Sequence, residues 1–526
     1  MKYNKLKKIL KNLTAILAAL SLLSGCAAAK SAATQSATAH SPAAHSGNAN
    51  SADISWSGDT KITEETSSDG AAYSSTEEDQ NALLIETGSE TEVTITDPTV
   101  TKSGGTSNSD TYSFYGINSA VMCMGGGTTT ITGGTVTTDA SGANGVFSYG
   151  ANNGMTNAEG DGTIVNISDT VIKTTGDGSG GIMTTYGGTT NAENLTIETE
   201  GRSSAAIRTD RGGGYVSVKG GSYTSNGPGS PAIYSTADVD VSGATLISNK
   251  SEGVCIEGNG SIELTDCTLT ANNTERNGNA QYYDTIMIYQ SMSGDATGTG
   301  SEFSMTGGSL NSKNGHVFHV TNTSATINLN GVEINNEDSD GVLISVVNDG
   351  WSGNYNKAEI NASSQVLEGD IIVSSAASSA SDSTSSLTLN LKDGSSFTGK
   401  IDDGNNGSDF NKVIVYIEKG STWTLTGDSY VTEITGEGTV DENGYTLTTG
   451  AGANKEEESS GGNGAPDMPP GEGMGERPEL PPDAKNGERP EPPTDMKNGE
   501  RPEPPTDMKN GERPEPPTDA AKQQKS

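Results

Sequence analysis

Residues 230–248 read "SPAIYSTADVDVSGATLIS", and residues 251–271 follow with "SEGVCIEGNGSIELTDCTLTA". Laid over one another, Ile233 falls on Val254, Val239 and Val241 on Ile262 and Leu264, and Leu246 on Leu269, at offsets of 21 to 23 residues. The pattern repeats, not the letters. In each copy apolar and polar residues alternate in short runs, the period of a strand with one buried face. Gly, Asn, Asp and Ser fill the gaps between runs, which makes each gap a turn.

Working outward, a column of Val and Ile runs through Val121, Val146, Ile182, Ile207, Ile233, Val254, Ile286, Val317 and Val342. A second column includes Ile131, Leu195, Val216, Val239, Ile262, Phe303 and Ile327. The spacing varies because polar insertions such as Asn272 to Asp284 lengthen some units, as in a solenoid with fixed strands and variable turns. A propeller blade takes about 40 residues and four strands, whereas a unit here takes about 22 to 30 residues and two or three strands. The sequence therefore predicts an all-β, right-handed parallel β-helix. Residues 83 to 447 supply about 12 rungs, which at ~4.8 Å each make a rod on the order of 60 Å long. Composition agrees: of 526 residues only 31% are hydrophobic and 69 are Gly, too little apolar material for a thick core but enough for a thin one shared by stacked neighbours.

The ends differ in kind. Residues 1–25 run from a Lys-rich start through an apolar segment, Leu13 to Leu23, too short for a stable span. Leu23-Ser24-Gly25-Cys26 resembles the lipobox of bacterial lipoproteins, which implies acylation at Cys26 and an extracellular protein held at the cell membrane through that lipid only. Loss of residues 1–25 removes five lysines and no acid, taking the formal charge from −37 to −42 and excluding nucleic acid as a partner. Residues 26–52 read as an Ala/Ser-rich tether in which His40 and His45 are solvated, and residues 53–450 as the β-helix domain. Residues 451–526 form a disordered Pro-rich tail. Of the chain's 19 prolines, 15 lie between Pro466 and Pro517, where a twelve-residue unit starts at Lys485, Lys497 and Lys509. Such a tail favours polyproline II and serves as a solvated spacer or as a ligand for a wall polymer or partner domain.

"SGANGVFSYG", "GDGSGGIMTT", "SSAAIRTDRGGG", "SPAIYSTADV", "SEGVCIEG", "DTIMIYQSMSGDA" and "WTLTGDSYVTEITGEGTV" together resemble the β-helical, adhesin-like surface proteins of clostridia-type anaerobes. The resemblance covers most of residues 81–450. It implies a pectin-lyase-type β-helix on the cell surface and brings no catalytic residues with it.

Candidate sites follow from the alternation. Beside the buried column stand Met122, Phe147, Met183, Arg208, Tyr234, Cys255, Met287, Phe318 and Leu343, an outward ladder of large side chains. It is either a binding face or a stripe covered by an insertion such as Asn272 to Asp284. As a binding face it would take a glycan or another host or cell-surface polymer, with Phe147, Tyr234, Tyr289 and Trp351 as stacking residues. Arg208, Asp210 and Arg211 are the best catalytic cluster, for a polysaccharide lyase or glycoside hydrolase acting on acidic glycans, or else an outward ion pair. Asp161, Asp177, Asp338 and Asp340 sit in Gly- and Asp-rich turns, where Ca2+ is possible and plain turn chemistry is the alternative. The rod's only histidines are His316 and His319; with Val317 inward, His316 and Phe318 point outward. Cys123, Cys255 and Cys267 are expected as small apolar fillers rather than a disulfide framework. The function expected from the sequence is a non-enzymatic adhesin or polysaccharide-binding lipoprotein.

Overall fold

The computed structural model describes residues 54–450 except 108, 152–158, 277, 295, 375–384 and 404–410. Cys26, the tether and the Pro-rich repeats lie outside the described residues. The described chain is a right-handed parallel β-helix built on three long parallel sheets. Sheet 1 has 13 strands, from Gly58–Ile62 to Ile401–Asp402, and sheet 2 has 14, from Thr66–Asp69 to Glu433–Gly436. Sheet 3 has ten, from Ala72–Ser75 to Glu333–Asn336, and a four-stranded sheet from Val366–Glu368 to Thr439–Asp441 follows it along the chain. Counted from residue 83, sheets 1 and 2 supply 12 and 13 strands, and the rung at Gly58–Ser75 precedes that count. Among the described residues no helix is long and apolar enough to cross a membrane.

The opening repeat is two successive rungs. Ile233 pairs with Val254, Val239 with Ile262, and Leu246 with Leu269, one match in each sheet. Each rung hides its apolar face only against its neighbours: Ile233 is fully buried between Ile207 and Val254. On sheet 2 the outer face is instead polar, with side-chain amides linked up the rod, Asn361 to Asn328 and Asn390 to Asn361, at 3.0 Å each. Towards the C-terminal end aromatic rings stack within the core, Phe397 on Trp423 at 5.7 Å, and the indole N–H donates to the Gly399 carbonyl.

Two column assignments need correction. Ile286 pairs with Phe318, and Phe318 with Ile344, so Phe318 joins the inward column beside Val317, which is fully buried in the same core, and Ile344 takes the place of Val342. Phe318 is therefore in the core rather than on the outer ladder, and Leu343 is buried there too. The second expected column also splits: Ile131 shares its inward column with Ile167 and Ala192, whereas Leu195 lies in the turn after that strand.

The turn from sheet 2 to sheet 3 explains the Gly, Asn and Asp between apolar runs. It uses left-handed residues rung after rung, among them Asp97, Gly133, Asp169, Asn194, Gly220, Gly243 and Asp266, with φ between 46° and 71°. Only Gly, and secondarily Asn and Asp, take that conformation at little cost. At Gly243 a Cβ would meet nothing within 4 Å, so conformation alone decides the outcome. Gly243→Val should destabilise by about 1–2 kcal/mol, and Gly243→Asn by only a few tenths of a kcal/mol, read as the difference in thermal midpoint between the two variants.

Candidate functional site

The outward ladder on sheet 1 is not an open stripe. The expectation of exposure is corrected by two coverings, each contributed by a segment that leaves the regular rung. Near the N-terminal end, helix α1 (Ser109–Tyr115) and the segment at Ile54–Trp56 lie over it. Met122, Phe147 and Met183 are fully buried there, in a cluster with Tyr115, Tyr149 and Tyr186, and the Trp56 indole donates to the Tyr115 carbonyl at 2.7 Å. Phe147, expected to stack on a ligand, is thus closed off from one. Further along, Cys255, Met287 and Tyr289 form a second outer cluster with Tyr234 and Trp351 packed against it.

Between the two coverings the stripe stays open as a cleft of about 270 Å³. Phe114 of α1 lines one side; Gly278, Asn279 and Trp351 line the other, and Arg208, Asp210, Tyr234, Glu257 and Tyr289 also line it. Strand register sets this grouping. Arg208 and Tyr234 are direct neighbours on adjacent rungs, and Glu257 and Tyr289 are neighbours on the next pair, all pointing outward. Four residues proposed from sequence for two different roles, Arg208, Asp210, Tyr234 and Tyr289, therefore meet in one place with Trp351.

The polar geometry is closely tied. Arg208 and Asp210 are both buried and form an ion pair at 2.9 Å. The Arg208 guanidinium lies 5.3 Å from the Phe114 ring centroid and 5.8 Å from that of Tyr234, while that of Arg211 lies 4.1 Å from the Phe114 centroid. Aromatic faces attract cations by their quadrupole, which holds the guanidinium in place without a second carboxylate. The Arg211 backbone N–H donates to Asp210 Oδ1 at 2.9 Å.

Glu257, which the sequence reading did not single out, is the hub. Its Oε2 accepts hydroxyl hydrogen bonds from Tyr234 at 2.5 Å and Tyr289 at 3.0 Å, and its Oε1 accepts one from Ser291. Burial, and next the Glu257 charge, push the Tyr289 phenol well above its ordinary value, so it stays a neutral donor. The Tyr289 and Trp351 rings lie 4.9 Å apart at 55°, a tilted pair. Alternation held the signal: with Val254 inward, Cys255 and Glu257 must both point outward.

The other expectations fall elsewhere. Asp161 caps Thr163, Asp177 accepts from the Arg202 N–H, and Asp338 accepts from the N–H groups of Gly315 and Asp340, each in its own turn, with Asp340 exposed. Among the described residues no three His, Cys, Asp or Glu side chains converge as metal ligands. Cys123, Cys255 and Cys267 are buried free thiols.

His316 is half-buried rather than exposed, because the register shift puts it beside Asp284 and under Tyr282, whose ring centroid is 4.9 Å away. Its imidazole is pushed down to about 4 by burial and by His319. His319 is fully buried, with Nδ1 2.7 Å from Ser345 Oγ and Nε2 3.1 Å from Asp349 Oδ2. This order of groups matches a nucleophile, base and orienting acid, but Ser345 is fully buried and does not line the cleft. The array instead ties the insertion to the rod, since Asp349 Oδ1 accepts from the Gln281 N–H at 2.6 Å.

No protein-family model matches the chain, and no curated protein or solved structure is significantly similar to it.

Proposed function

We propose that the chain is a cell-surface lipoprotein, anchored through Cys26, whose β-helix binds a glycan without cleaving it, as an adhesin or polysaccharide-binding protein. The observation that carries the reading is the cleft between the two coverings, where Tyr234, Tyr289 and Trp351 stand beside the Arg208–Asp210 pair and Glu257. Aromatic faces with a few convergent polar groups are what a sugar ring with axial C–H bonds and equatorial hydroxyls requires. The formal charge of −37 argues for an uncharged or cationic partner over an anionic one.

One observation favours a second reading, a glycoside hydrolase. Asp210 and Glu257 occupy one outward column two rungs apart, ~9.6 Å along the axis, near the upper limit for an inverting pair. Against it stands their bonding. An inverting pair needs one carboxyl to donate a proton, whereas Asp210 accepts from Arg208 and Arg211, and Glu257 accepts from four hydroxyls, those of Tyr234, Tyr289, Ser291 and Ser293.

The test is retention of the full chain on immobilised polysaccharides, with release of reducing or unsaturated ends measured in parallel. Wild type should be retained without release. Trp351→Ala should lose about 1–3 kcal/mol of binding, as expected for a stacking residue, in a variant that still unfolds cooperatively. Release of ends by wild type would replace the binding reading with the hydrolytic one. For the anchor, Cys26→Ser should move the protein from the membrane fraction to the medium, and unchanged retention would refute lipidation.

A further inference from the structure

We infer that the cleft selects glycans that carry no acidic group, taking neutral or amino sugars and rejecting uronates. The inference rests on the reading of this cleft as a glycan site and concerns only the class of sugar it admits.

A hydroxyl has one proton to donate. The Tyr234 and Tyr289 hydroxyls give theirs to Glu257 Oε2, and the Ser291 hydroxyl gives its own to Oε1. What these three groups offer a ligand is therefore lone pairs. Three groups that by residue type could donate to a ligand carboxylate are converted by one buried carboxylate into acceptors. A sugar hydroxyl or ammonium supplies the donors such a surface needs; a uronate carboxylate is acceptor-only and would face acceptors.

Charge points the same way. The residues lining the cleft include one cation, Arg208, and two carboxylates, Asp210 and Glu257. The guanidinium is already engaged: Nη2 bonds Asp210 at 2.9 Å, Nη1 donates to the Ser203 carbonyl at 3.1 Å, and its face lies between Phe114 and Tyr234. For it to serve a uronate, the ion pair would have to be broken inside a largely desolvated site. The acidic-glycan substrate expected for an enzymatic β-helix is thus the class this cleft is least suited to hold. Ammonium groups, by contrast, would meet acceptors, a net negative lining and the faces of Tyr289 and Trp351.

The full chain is titrated with three oligosaccharides of similar length, a neutral glucan, a glucosamine oligomer and an oligogalacturonate, at about 0.15 M salt, where the field of distant charges is screened within ~8 Å. The neutral and amino oligomers should bind, and the oligogalacturonate should bind at least about tenfold more weakly. Glu257→Gln gives the discrimination a local readout: the amide donates to one hydroxyl oxygen and frees that proton for the ligand, so the uronate deficit should shrink several-fold. If Glu257→Gln does not fold, Ser291→Lys, at a half-buried position beside the same carboxylate, should shrink it too. Oligogalacturonate binding as tight as the neutral oligomer's would overturn the inference and leave glycan binding standing. A uronate deficit unchanged in a folded Glu257→Gln or Ser291→Lys variant would also overturn it, since the discrimination would then come from the charge of the whole chain. Absence of binding by all three oligomers would overturn the glycan reading itself, and this inference with it.

Discussion

Ile233→Asp should open the middle of the rod, exposing protease sites between Ser222 and Gly260, while the distant rungs stay folded. Ile233 is fully buried, with Ile207 and Val254 stacked against it in the inward column of sheet 1. Losing that burial costs about 1.5–3 kcal/mol. An aspartate there would stand between Ile207 and Val254, neither of which can pair with it, and an unpaired buried carboxylate adds several kcal/mol more. A total above about 5 kcal/mol is at the extreme for a single substitution. In a solenoid each rung is stabilised by its own contacts and its two interfaces, so the damage spreads to neighbours first. The control is the next residue. Tyr234 is half-buried on the outer face, and Tyr234→Phe keeps the ring beside Arg208 while losing the hydrogen bond to Glu257, a cost of about 1 kcal/mol. Limited proteolysis with mapping of the cuts checks both. Resistance in Ile233→Asp together with cleavage in Tyr234→Phe would mean that inside and outside are exchanged.

That contrast marks how far the sequence could be read. Where apolar and polar residues alternate strictly, as in "DVDVS" and "SIELT", one residue settles the facing of the whole strand, and the pairing of Val239 with Ile262 follows. Where apolar residues stand side by side, as Val317-Phe318 in "HVFHVT" and Val342-Leu343-Ile344 in "VLISVV", period two does not settle the facing. The shift that puts Phe318 and Ile344 inward and His316 under Tyr282 is of that kind. The coverings were hidden for another reason: α1 is seven residues long, too short to show a helical period, and residues 272–283 are mostly polar. What lies over a stripe is a tertiary fact, and without it the cleft could not be told from the closed stretches on either side. Its floor was half legible. Arg208, Asp210, Tyr234 and Tyr289 followed from alternation, and Glu257 would have followed from the same rule applied to "VCIE".

The acids beneath the insertion were not legible, because Glu and Asp at strand ends read as turn residues, whereas Glu252 and Asp284 are buried. Asp284 is the more exposed to consequence. Among the described residues neither of its carboxyl oxygens has a hydrogen-bond partner. Burial pushes its carboxyl well above the ordinary 3.8, and the nearby Glu252 and Asp349 push it further. The sign of the linkage follows. Once pH exceeds the unfolded value, the native state holds a proton that the unfolded state has released, so stability falls as pH rises, until the folded value is passed. One such group costs about 1.4 kcal/mol per pH unit across that window. Asp284→Asn removes the proton from the balance. Its stability relative to wild type should climb steadily from pH 5 towards neutrality and vanish near pH 4. Asp284 lies on the strand that ends the insertion, whose residues Gly278 and Asn279 line the cleft, so the gain should also appear as slower amide exchange at residues 278–283. Denaturant melts of the two proteins at several pH values decide it. Parallel stability curves, with a constant offset from pH 4 to 8, would mean that Asp284 is as ionised in the fold as out of it.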